Sequence, residues 1–260
     1  MLGGAVGDAL GFVIGKDDLK TIHKKYGPYG LRTVLKSAKN GNKSIISDDT
    51  QLSLFTADGM LWADHDGLEP TEGLYRSYMR WYYTQTERII RPEQEKWMNR
   101  QDHEVDLEYD MMGEQALFAR RSPGKTCLTA LASGKKLSRD ETLNHSSGNS
   151  TVMRAAPIGL FYEGDPEMAF FVGSQAASLT HGNPKAFLST ATISAIIASL
   201  AVGKDISTAL GGALHILQRD PEGARLLKLL LHAIDEAVTD RNPARSMKKI
   251  GLGKLSLIHI

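Results

Sequence analysis

Cysteine is almost missing from this chain. The single residue Cys127 excludes an intrachain disulfide framework and fits a reducing, cytoplasmic compartment. An excess of one charge is also missing. With 31 basic and 30 acidic residues the net charge is +1, so no whole-chain attraction to nucleic acid or to an anionic membrane is implied. There is no long unbroken apolar run. The least polar one, FLSTATISAIIASLAVG from Phe187, is salted with Ser and Thr, is shorter than a membrane span and reads as a buried helix of a core. The start, MLGGAVGDALGF, has no basic residues and is interrupted by Asp8, which speaks against a signal peptide. No alternating apolar–polar series of useful length is present, so strands are not expected.

What remains is helical spacing. Apolar residues recur at intervals of three and four across 51–63, 71–84, 152–162, 166–180, 184–202, 205–218 and 222–238. Start signals precede several of these runs: Pro70 with Thr71, Asp165 with Pro166, and Asn183 with Pro184. Clusters at 15–18, 27–30, 38–43 and 219–223 mark loops, and the charge-rich stretch 86–112 reads as a mobile surface loop. At 260 residues, 42% hydrophobic and without repeat or linker, the chain is expected to form one all-α, multi-helix domain.

Four segments could carry chemistry. GGAVGDALG, 3–11, surrounds Asp8 with four glycines and two alanines, which permits close approach of another backbone or a ligand, or simply tight helix packing. It is not a P-loop, because no Gly-Lys-Ser/Thr follows. SDDTQ, 47–51, sets two carboxylates between two hydroxyls. Taken alone it reads best as a helix cap by Ser47 or Asp48, with Asp49 favoured by the helix dipole. The same oxygens are also the donors a hard cation prefers. SSGNST, 146–151, is a polar loop centred on Gly148 that runs into a helix, where free N–H groups suit phosphate and an ordinary cap is the plainer alternative. Arg154 follows, to pair with an acid or serve the structure. In SLTHGNP, 178–184, His181 closes one helix before the next, placed to cap carbonyls or to contact a ligand sugar. Cys127, in the helix-like KTCLTAL, reads as a small buried side chain. His23, His65, His215 and His232 show no spacing of a zinc site.

In this order and at these separations, GAVGDALG, SDDTQ, SGNSTVMRAAPIGLF and LTHGNP resemble the ADP-ribosylglycohydrolase family over residues 1 to about 200. The resemblance implies an orthogonal all-α bundle around a binuclear Mg²⁺ or Mn²⁺ centre. It implies a hydrolase that removes ADP-ribose from a modified protein side chain or from a small ADP-ribosyl conjugate. Ser47, Asp48 and Asp49 then look like the first set of metal ligands. Ser147, Gly148, Asn149, Ser150 and Thr151 look like the segment that cradles the diphosphate and ribose, followed by Met153, and His181 looks like a further contact to ADP-ribose.

Two departures accompany the resemblance. Family members carry a Glu shortly after GDALG, where this chain has Gly15 in GFVIGKDD; Asp17 or Asp18 could replace it only with a shifted loop. No Gly-x-Asp-x-Asp-Thr/Ser motif, the family's second ligand set, occurs. The reading is therefore an incomplete domain over 1–253 that lacks the family's C-terminal helices, with KLSLIHI, 254–260, as a non-native tail. The expected result is apolar surface left exposed, weak metal binding and impaired hydrolysis, with no catalytic residue assigned. The alternative is a non-catalytic relative that binds ADP-ribose or a protein partner.

Overall fold

The computed structural model describes residues 1–37, 41–86, 92, 111–240 and 242–250. Most of the stretch expected as a mobile loop (87–91 and 93–110) and the expected tail at 254–260 lie outside the described residues. The helices are α1 Leu2–Ile14, α2 Leu19–Tyr26, α3 Asp48–His65, α4 Pro70–Thr86, α5 Lys125–Ala132, α6 Ala155–Phe161, α7 Pro166–Ser178, α8 Pro184–Ala201, α9 Ile206–Arg219, α10 Ala224–Thr239 and α11 Pro243–Ile250. Among the described residues there is no strand, only an isolated bridge between Ser37 and Lys43. The all-α expectation holds.

Two apolar clusters organise the bundle. The first joins α3, α4, α5 and α7 through Leu52, Phe55, Leu74, Tyr78, Trp81, Leu131 and Leu179. Each such side chain, fully buried, contributes about 1.5–3 kcal/mol relative to leaving it in water. α3 and α4 meet closely because both present glycine at the contact. A Cβ on Gly73 would stand 2.3 Å from the Gly59 carbonyl oxygen. The second cluster joins α7, α8, α9 and α10 through Phe187, Leu188, Ala191, Ala195, Leu217 and Leu226. α8 is, by length and composition, long and apolar enough to cross a membrane. Here it is the helix around which α6, α7 and α9 pack. Exposed apolar side chains remain at Leu2, Val6 and Val13 on α1 and at Leu229, Leu231 and Val238 on α10.

Local chemistry explains where the elements differ from the periodicity. α2 has too few apolar residues to stand out, but Asp18 caps it by accepting from the Thr21 amide at 2.7 Å. The expected helix over 152–162 instead begins as a 3₁₀ turn, Asn149–Arg154, and becomes α-helical only at Ala155. Pro157 has no N–H to return to the Met153 carbonyl. That carbonyl accepts from the Ser53 hydroxyl of α3 instead, at 2.7 Å.

Candidate active site

Asp8 reaches from α1 to the start of α3. Its Oδ2 accepts from the Ser47 amide at 2.7 Å, the Thr50 hydroxyl at 2.6 Å and the Thr50 amide at 3.3 Å. Its Oδ1 is buried and has no hydrogen-bond partner. Ser47 is the N-cap of α3, its hydroxyl accepting from the Asp49 amide at 3.1 Å. The capping reading of SDDTQ is therefore correct as far as Ser47 goes. It does not account for Asp48, which is buried, or for Asp49, half-buried beside it.

Asp48 links this acidic turn to the mid-chain loop. Its Oδ2 accepts from the Gly124 amide at 3.3 Å. Gly124 in turn abuts Ser150: a Cβ there would lie 2.9 Å from Ser150 Oγ. Two residues earlier, Gly148 faces the imidazole of His181, which a Cβ would approach to 3.4 Å at Nε2. The structure thus brings Asp48, Ser150, Gly148 and His181 into one chain of contacts. Ser147 and Asn149 are exposed on the same loop. Thr151 faces the other way. It is fully buried and its hydroxyl donates to the Ala186 carbonyl, so it fastens the loop to α8. Met153 packs against the first apolar cluster. Asp17 and Asp18 are committed elsewhere, Asp17 to Lys25 at 2.8 Å and Asp18 to the α2 cap.

Behind the loop lies Arg154, fully buried. It donates to the Ala176 carbonyl at 3.1 Å and to the Cys127 sulfur at 3.0 Å, and its guanidinium stacks 4.7 Å from the Tyr78 ring centre. His181 is also buried; Nδ1 is 2.8 Å from the Thr180 hydroxyl and Nε2 has no partner. It does not serve as an exposed helix cap.

The electrostatics follow from burial and like charge. Burial, then Asp49 and more weakly Asp8, push the Asp48 carboxyl up to about 7, against the Gly124 amide, which lowers it. Burial, then the Arg154 charge, push His181 down to about 3. In the folded state His181 therefore stays neutral while the unfolded chain takes up a proton below pH 6.5. This contribution to stability is present above 6.5 and is lost as pH falls toward 3, by about 1.4 kcal/mol per pH unit. Asp48 acts in the opposite sense over much of that window, so the difference between the wild type and His181→Gln isolates the effect. Urea unfolding in chelator from pH 6.5 to 4.5 is expected to show the wild type losing ground to the variant with that slope; parallel curves would contradict it.

The oxygens gathered at the start of α3 (carboxylates of Asp8, Asp48 and Asp49, hydroxyls of Ser47 and Thr50) suit a hard cation in kind. The orphaned Asp8 Oδ1 and the crowding that raises Asp48 agree with one. Among the described residues, however, no three His, Cys, Asp or Glu side chains form a group able to hold an ion by themselves. The remaining ligands would be hydroxyls, water or substrate.

The model of the ADP-ribosylglycohydrolase family matches residues 1–257. The chain belongs to this family. Neither curated proteins nor solved structures gave a match. The ADP-ribosylglycohydrolases are hydrolases acting on ADP-ribosyl conjugates, with metal dependence as a general property. In this member, sequence reasoning missed Gly124, whose only signal is the SPGK turn ahead of a helix. It also missed the pairing of Arg154 with Cys127, two residues that look unrelated in the sequence.

Proposed function

We propose that this chain removes ADP-ribose from a modified protein side chain or a small ADP-ribosyl conjugate, using Mg²⁺ or Mn²⁺ at Ser47, Asp48 and Asp49. The observation that supports it is the contact path from Asp48 through Gly124 and Ser150 to Gly148 and His181. It sets an acidic turn beside a polar loop, the two parts that an ADP-ribosyl group with a cation requires. A divalent ion bound there would orient ribose hydroxyls and activate water for attack at the anomeric carbon. The chain's own residues do the rest. Ser147, Gly148, Asn149 and Ser150 border the diphosphate and ribose, with Thr151 and Met153 bracing them from behind. His181, neutral at physiological pH, offers Nε2 as a hydrogen-bonding atom without adding charge. The Asp48 and Asp49 carboxylates stabilise positive character at the anomeric carbon as its bond to the leaving group breaks.

Among the described residues no three carboxylate, imidazole or thiol side chains form a metal-holding group, and we expect weak metal affinity and slow hydrolysis. The second reading is an ADP-ribose-binding relative without catalysis. It is favoured by Gly15 at the position of the family Glu and by the local commitment of Asp17 and Asp18.

Thermal unfolding with Mn²⁺ and ADP-ribose, singly and together, separates the two. A ligand at 100 times its Kd adds about 2.7 kcal/mol to stability. On the metal reading, Mn²⁺ raises the Tm, ADP-ribose raises it further only with metal, and Asp48→Asn removes both shifts. Equal stabilisation by ADP-ribose in chelator would favour the second reading, and no shift with either would sink both.

A further inference from the structure

Residues 16–37 hold six Lys or Arg and two Asp, a net charge of +4 in a chain whose total is +1, which leaves −3 on the rest. Both acids are already engaged, Asp17 with Lys25 and Asp18 as the cap of α2. Lys16, Lys20, Lys24, Arg32 and Lys36 are exposed, and none of them forms an ion pair among the described residues. On α2, Lys20, His23 and Lys24 share the face opposite Ile22, the residue that the helix buries. The chain turns back at Gly27 and Gly30, both with positive φ, and packs under that buried side: a Cβ on Gly30 would lie 3.6 Å from Ile22 Cγ2. The cationic face therefore stays open to solvent. Leu19, Tyr29, Val34 and Leu35 are exposed among these cations.

Folding does not call for this arrangement. Lys24 and Lys25 suit the C-terminal dipole of α2, but Lys20 stands near its N-terminus, where positive charge is disfavoured, and repels Lys24 one turn on. We propose that this lobe docks a short acidic segment of a partner polypeptide. Its carboxylates meet Lys20, Lys24, Arg32 and Lys36, and its apolar side chains lie against Leu19 and Tyr29. Charge complementarity sets the sign of the occupant, and the distribution of charge limits its length. α2 is about 12 Å long, and the net charge outside the lobe is negative. An extended nucleic acid or an anionic membrane would carry its phosphates onto that repelling remainder. The consequence for substrate choice rests on the proposed hydrolysis; the docking itself does not. Lys36 precedes Ser47 by eleven residues, a span of at most about 40 Å, so the acidic run would lie within about a dozen extended residues of the modified side chain.

The probe is a fluorescently labelled ten-residue Glu/Asp peptide, followed by anisotropy with the full chain in chelator and without ADP-ribose. Wild type is expected to bind it, about 10-fold or more weakly in 300 mM than in 50 mM NaCl. The quadruple variant Lys20→Gln, Lys24→Gln, Arg32→Gln, Lys36→Gln should lose about 10-fold or more at 50 mM, with circular dichroism and Tm unchanged. Lys20→Arg with Lys24→Arg keeps the charge and should bind like wild type. No binding, indifference to salt, full affinity in the quadruple variant or lost affinity in the arginine variant each overturns the inference. So does a quadruple variant that does not fold, since the charges would then serve the fold. Tighter binding of a ten-nucleotide oligo-dT or of phosphatidylserine vesicles also overturns it and points to a different class of partner. None of these measurements uses metal or nucleotide-sugar, so their failure leaves the hydrolase reading untouched.

Discussion

Arg154→Ala is expected to destabilise the protein by about 3–5 kcal/mol, the cost typical of truncating a large buried side chain that anchors polar contacts. The guanidinium has no solvent exposure and fills the space between Tyr78, Cys127 and the last turns of α7. Alanine leaves a void there and strips the Ala176 carbonyl of its donor, a loss of about 1–3 kcal/mol by itself. For a chain of this size the Tm falls by about 10 °C. Arg154→Met should be milder, since it keeps volume and removes a buried charge, while still freeing the Ala176 carbonyl. Thermal or urea denaturation checks both, and an alanine variant melting within 2 °C of wild type (about 0.5–1 kcal/mol at this size) would rule out the anchoring role.

Gly182→Ala should cost about 3 kcal/mol and disable the candidate site together. A Cβ at that position would lie 2.2 Å from the Asn144 carbonyl oxygen and 2.6 Å from Thr142 Cβ, so the 142–146 segment must retreat by about 1 Å or more. That segment is tied to the His181 turn by Asn144, whose side chain donates to the Thr180 carbonyl at 2.9 Å and accepts from the Ser146 amide at 2.9 Å. Its displacement carries Gly148 away from His181. The expected readout is a lower Tm and no ADP-ribose-induced stabilisation at concentrations that stabilise wild type. A variant that melts and binds like wild type would show that the close approach is not needed.

The long helices were legible because their apolar spacing and caps agree: Asn183 with Pro184, and Asp165 with Pro166, open α8 and α7 as expected. The start of the mid-chain helix was not, because its geometry depends on a carbonyl of Met153 finding a hydroxyl a hundred residues earlier in sequence. In the candidate site, Ser47, Asp48, Gly148 and His181 announced themselves by unusual residue types in short motifs. Thr151 belonged to the same motif, yet its hydroxyl faces α8, and nothing in the run SGNST distinguishes its direction from that of Ser150. Gly124 escaped because its contribution is a backbone N–H, which every residue type except proline carries.

The bond from Ser53 to the Met153 carbonyl has a mechanical consequence. α3 begins with the acidic turn and, one and a half turns later, grips the mid-chain loop. A tilt or slide of that single rod moves the acidic turn and the mid-chain loop in the same direction. The His181 turn shares that motion, because Thr151 fastens the loop to α8 and Asn144 holds the Thr180 carbonyl, so Asp48, Gly148 and His181 keep their spacing under small displacements of α3.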